Sequence, residues 1–109
     1  MGIGKLMGFE DYLGLNNDDT FALRVKDDGM ADAGILANDL VLVRKQSVAQ
    51  EDEIVVAMLN EKKAILRYLR RAGKRYFLVT STPKYEPIRV DENVSLIGKV
   101  IHVISGKAV

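Results

Sequence analysis

Hydrophobic and polar positions alternate at period two in several stretches of this chain, the pattern of half-buried strands. Phe21, Leu23 and Val25 alternate with other residues before a short crossing rich in glycine and aspartate, and Leu40 and Leu42 do so after it. The stretch 21–44 therefore reads as two strands joined by a site-like loop, the first strand beginning at Thr20. The apolar run 53–59, EIVVAML, is rich in β-branched residues and lacks clean alternation, which predicts a central strand covered on both faces. Asn60-Glu61 makes the next turn. Arg75-Tyr76-Phe77-Leu78-Val79-Thr80 is aromatic and β-branched, as a strand returning from a hairpin turn at Ala72-Gly73-Lys74 should be. The last element, 94–104, reads as a long strand bent at Gly98.

Local signals conflict in one place. The stretch 62–71, KKAILRYLRR, is made of strong helix formers that put Ile65, Leu66 and Leu69 on one helical face. As a strand it turns Ala64, Leu66 and Tyr68 one way and Ile65, Arg67 and Leu69 the other. Both readings stay open on the residues alone.

Outside these elements the chain is less patterned. Residues 1–8, MGIGKLMG, have closely spaced glycines and no period, and are expected to form a flexible arm ahead of a single domain over 9–109. Phe9 to Leu13 reads as one turn of helix or a short strand ended by Gly14, and Asn16-Asn17-Asp18-Asp19 as a turn. Pro83 and Pro87 lack the amide a ladder needs, so 81–87, STPKYEP, is a crossing loop. The sum is a mostly β domain of about six to eight strands.

Composition narrows the chemistry. A chain of 109 residues supports one core rather than two. A formal charge of +1 provides no overall attraction to nucleic acid or anionic membrane, so any basic function must be local. With no cysteine there is neither a disulfide nor a thiolate metal site, and His102, the single histidine, leaves little for a histidine metal site or a Ser-His triad. No cofactor or metal is expected. No apolar run approaches the ~20 residues of a membrane span, and residues 1–7 lack the apolar core of a signal peptide, so a cytoplasmic protein without membrane contact is expected.

The loop 25–40 reads Val-Lys-Asp-Asp-Gly-Met-Ala-Asp-Ala-Gly-Ile-Leu-Ala-Asn-Asp-Leu. It resembles the active-site turn of the LexA-type Ser-Lys self-cleaving peptidases, Val-x-Gly-Asp-Ser-Met-x-Asp-x-Gly-Ile-x-x-Gly-Asp-Leu. Val25, Asp28, Met30, Asp32, Gly34, Ile35, Asp39 and Leu40 stay in register. Gly29 stands where that family has its serine, and Asp27 and Asn38 stand where it has glycines. The resemblance extends to Ala64-Ile65-Leu66-Arg67-Tyr68-Leu69, similar to a family strand Ala-Thr-Val-Lys-Arg-Phe, and tips 62–71 toward a strand. It also covers Pro83, Tyr85 and Pro87, and the closing strand, where His102 occupies a common glycine position. It spans roughly residues 9–104 and implies a LexA/signal-peptidase-like β domain.

In that family a serine attacks a peptide bond of the chain's own N-terminal linker, and a lysine kept neutral by desolvation takes the serine proton. Gly29 has no side chain to attack with, and Arg67, at the lysine position, carries a guanidinium that stays protonated. The resemblance thus implies a pseudo-peptidase without catalytic residues, with Asp27, Asp28 and Met30 lining its cleft. A bare buried guanidinium would be costly, so Arg67 is expected to reach water or a carboxylate, with Asp27 and Asp28 as candidates. A rewired nucleophile among Ser47, Ser81, Ser95 and Ser105, with Lys62 or Lys63 as base, has no support in spacing.

The remaining charged groups have simpler readings beside the functional ones. Asp27, Asp28, Asp32 and Asp39 lack a Ca²⁺-loop spacing and read better as turn and cap residues. Lys62, Lys63, Arg67, Arg70, Arg71, Lys74 and Arg75 form a basic hairpin that could meet phosphates, but solvated basic side chains also guard sheet edges. The resemblance implies two functional classes. One is the regulatory, homodimerising domain of a repressor that would reach DNA only through an upstream helix-turn-helix, with a recombinase filament as a candidate protein partner. The other is an accessory subunit of a translesion polymerase. LexA-like proteins commonly pair through the C-terminal strand, so a homodimer through Val100, Ile101, His102, Val103 and Ile104 is expected, with Lys99 and Lys107 at its margins.

Overall fold

Alternation along the chain becomes a single antiparallel sheet in the computed structural model, which describes residues 19–104. The expectations for the arm 1–8, for Phe9 to Asp18 and for the tail from Ser105 lie outside the described residues. Seven strands are present: β1 (Thr20–Arg24), β2 (Leu40–Lys45), β3 (Ile54–Leu59), β4 (Lys63–Ala72), β5 (Arg75–Val79), β6 (Ile88–Arg89) and β7 (Val94–Ile104). Their order is β1-β2-β7-β3-β4-β5-β6, and every neighbouring pair is antiparallel. The fold is mostly β and forms one domain. No helix among the described residues is long and apolar enough to cross a membrane.

The middle of the sheet is β3, and both its faces are covered. Val56 joins a cluster with Val25, Met30, Ile35, Val41, Val43 and Leu66, while Val55 and Ala57 join a second cluster with Ile65, Leu69 and Leu78. That explains the unbroken apolar run, since a strand with two buried faces has no polar side to alternate with. β4 follows the same logic, sending Leu66 to the first cluster and Ile65 and Leu69 to the second. Apolar residues on both faces of a strand imitate a helical stripe, and ladders to β3 and β5 override the helix propensity of 62–71.

The turn from β3 to β4 is closed by the Lys62 amide donating to the Leu59 carbonyl at 3.0 Å. Its two central residues, Asn60 and Glu61, have φ of 54° and 61°, a left-handed pair that matches strand twist in a tight hairpin.

The last strand differs from the expectation in two ways. It is interior, pairing β2 along Gly98–Ile104 and β3 along Val94–Lys99, whereas the expected pairing with a second copy calls for a strand at an open edge. A long apolar strand has the same pattern at an edge or inside a sheet, and only pairing distinguishes them. Beyond Lys99 no described strand continues the ladder on the β3 side. The register irregularities also fall on either side of Gly98 rather than at it, opposite Leu42/Val43 on β2 and Val56/Ala57 on β3. Gly98 is needed for space: a Cβ there would lie 2.6 Å from the Arg44 carbonyl oxygen and press on Val43 Cγ1.

Candidate functional site

The loop between β1 and β2 is tied at its base and anchored in the core. The Val25 amide donates to the Asp39 carbonyl and the Asn38 amide to the Val25 carbonyl, both at 2.8 Å, prolonging the β1-β2 ladder. Asn38 sits at φ 76°, a conformation that asparagine tolerates better than most residues, so its stand-in for a glycine needs no distortion of the turn. A single 3₁₀ turn, Ala31–Ala33, ends at Gly34 with φ 84°. The Asp39 carboxylate accepts the Leu36 amide at 2.8 Å. Met30 and Ile35 are buried in the first cluster, so Met30 is a core anchor of the loop rather than a wall of a cleft. Packed from below by these side chains, the loop presents Asp27, Asp28 and Gly29.

Arg67 meets the loop from β4. It is only 3% exposed. Its Nη1 donates to the Leu66 carbonyl at 2.7 Å, and its guanidinium faces the Asp27 carboxylate at 3.3 and 3.4 Å. The Tyr85 ring lies under the guanidinium, 4.7 Å from Cζ to centroid, a distance at which a ring face attracts a cation. Nε of Arg67 is buried and has no hydrogen-bond partner among the described residues. Asp27 is therefore the carboxylate that answers this buried charge, and its Oδ1 also accepts the Gly29 amide at 2.9 Å.

Asp28 turns to a different set of partners. It accepts the Tyr85 hydroxyl at 2.6 Å and the Lys84 ammonium at 3.0 Å. These donors, Tyr85 foremost, hold its carboxyl below the ordinary value of 3.8. In return Asp28 raises the Tyr85 phenol above 10.0 and the Lys84 ammonium above 10.5. Two further bonds join the same segments: the Thr80 hydroxyl donates to the Gly29 carbonyl, and the Ser81 hydroxyl to Asp32 at 2.7 Å. Residues 80–87 thus form a strap across the loop. Sequence reasoning treated that stretch as a crossing loop only; the signal was there in Tyr85, held between Pro83 and Pro87 and kept in register with the resemblance.

A groove of about 420 Å³ begins beside this site, with Leu23 to Asp27 along one wall and Lys62 to Leu66 along the other. Of the expected cleft residues, Asp27 lines it. Elsewhere the basic hairpin is largely a solvated edge: Arg70 pairs with Asp52 at 2.9 Å, both well exposed, and Arg71 Nε donates to the Gly73 carbonyl. The expected C-terminal interface residues lie on β7, Val100, Ile101 and Ile104 half-buried and His102 and Val103 exposed.

Chemically the site holds a permanent cation, a carboxylate and a glycine. The guanidinium cannot accept a proton at any ordinary pH, and no side chain at position 29 can form a covalent bond. Comparison with known proteins identifies the scaffold. The profile of the Peptidase S24-like family matches residues 4–101. A LexA repressor of Desulfitobacterium hafniense (strain DSM 10664 / DCB-2) is 44% identical over 89 residues, covering 82% of this chain and 43% of that protein. A LexA repressor of Staphylococcus aureus (strain Newman) is 41% identical over 92 residues, covering 84% of this chain and 44% of that protein. The chain therefore spans less than half the length of the curated relatives it matches.

Proposed function

Because this chain belongs to the peptidase S24-like family, we propose that it is a catalytically inactive, LexA-like regulatory and dimerisation domain of a transcriptional repressor. The observation that carries the reading is the pairing at its degenerate dyad. Gly29 occupies the nucleophile position, and Arg67, at the position of the general base, is committed to Asp27 and the Leu66 carbonyl. Serine chemistry requires an oxygen to attack and a neutral amine to receive its proton, and positions 29 and 67 supply neither. In this reading operator contact falls to residues outside the matched part of such relatives, a recombinase filament or a polymerase is the candidate protein partner, and Val100 to Ile104 on β7 pair with a second copy.

Incubation of the protein at alkaline pH, followed by intact-mass measurement, tests the central claim. A lysine-based dyad would be switched on under those conditions, whereas this chain is expected to keep its full mass. A discrete cut that disappears when one named serine is replaced would overturn the reading.

A further inference from the structure

The guanidinium of Arg67 stands where a side chain at position 29 would have to project. An ideal Cβ on Gly29 would lie 2.6 Å from Arg67 Nη1, 2.9 Å from Cζ and 3.2 Å from Asp27 Oδ1. The guanidinium also bridges two walls, because Leu66 and Asp27, its hydrogen-bond partners, line opposite sides of the 420 Å³ groove. From below it is stacked on Tyr85 of the strap, whose hydroxyl holds Asp28. We infer that Arg67 is a clamp that closes one end of the groove and helps to join the 27–32 loop and the 80–87 strap into a single cooperative unit, and that Gly29 is required because any side chain there would displace the clamp.

A dead site could have been left open, with the groove running on past the missing nucleophile. Here it is filled from within. To make room for a Cβ the guanidinium must shift, and because it is one rigid planar group the shift is felt at Asp27, the Leu66 carbonyl and the Tyr85 ring together. Of the other bonds between strap and loop, those from Ser81 and Lys84 are exposed and individually weak, while those of the Tyr85 and Thr80 hydroxyls are part-buried. The buried contacts through Arg67 add to these two hydroxyl bonds and tie the segments to β4 as well as to each other.

Amide hydrogen exchange read by mass spectrometry tests this on the whole chain, in wild type, Gly29→Ala, Arg67→Met and the double variant. Wild type should protect 27–32 and 80–86 to a similar degree. Gly29→Ala should speed exchange in both segments by about tenfold or more, as expected when a hydrogen bond to a charged group is lost. Arg67→Met should loosen the same two segments, and adding Gly29→Ala to it should change nothing further. If Gly29→Ala has the same effect with and without the guanidinium, or loosens one segment and not the other, the clamp is overturned. Should Gly29→Ala alone not fold, the double variant decides: recovered folding supports the clamp, and continued failure removes it.

Discussion

The Arg67 side chain is 4% exposed while the Asp27 carboxylate that it faces at 3.3 Å is 26% exposed, so the two halves of this ion pair have unequal access to water. If the carboxylate is lost, the guanidinium is stranded in the protein; if the guanidinium is lost, the carboxylate can still be hydrated. Removing one member of a buried pair is costly chiefly because of the charge left behind.

Asp27→Asn should therefore destabilise the protein more than Arg67→Met does. Roughly 3 kcal/mol is expected for the first, and a smaller loss for the second, in which an apolar chain of similar length fills the space. Urea unfolding of both variants is the check, and equal midpoints would show that the pair is not asymmetric.

The strap should be held by charge over a defined pH window. Asp28 titrates below 3.8 in the folded protein because of Tyr85 and Lys84, so its contribution is complete above that value and is lost as pH falls through the lowered one. Tyr85 titrates above 10.0 and Lys84 above 10.5, chiefly through Asp28, so their contributions are complete below those values and are lost as pH rises through the raised ones. NMR titration of the Tyr85 ring should give a midpoint above 10.0 that moves down in Asp28→Asn. An unchanged midpoint in that variant would remove the bond as its cause.

Glu61 is held at φ 61° in the β3-β4 turn, where a side chain brings its Cβ close to the backbone. Glu61→Gly should stabilise the protein by roughly 1 kcal/mol, the steric relief at a left-handed residue exceeding the added flexibility of the unfolded chain. A thermal midpoint that falls instead would mean that the Glu61 side chain supports the turn in a way its backbone does not reveal.

The association expected through β7 can be tested where its ladder to β3 stops, beyond Lys99. A second copy laid along Val100 to Ile104 would extend the sheet, and a two-fold arrangement would close it. Sedimentation equilibrium of wild type should show a dimer at concentrations on the order of tens of micromolar, in the range of weak association. Ile101→Lys and Val103→Lys should shift it toward monomer. A monomeric wild type, or two variants that behave like it, would end the proposal.

Much of this architecture was present in the order of residues. Period-two alternation marked β1 and β2, the apolar run marked the doubly covered β3, and Gly73 and Asn60-Glu61 marked turns whose left-handed backbone the structure displays. These are local signals, decided within a few residues by sterics and burial. That position 29 has no hydroxyl and position 67 no amine was also legible, because it depends only on which atoms Gly29 and Arg67 carry. For 62–71 local propensity pointed toward a helix, and only the ladders on both sides of β4 made it a strand. The interior place of β7, the choice of Asp27 rather than Asp28 as partner to Arg67, and the strap from Thr80 to Tyr85 could not be read in advance. The contacts of Arg67 and of the strap join residues 40 to 57 positions apart, and which atoms meet across such a distance is set by sheet order and register, properties of the folded whole that no short stretch of sequence contains.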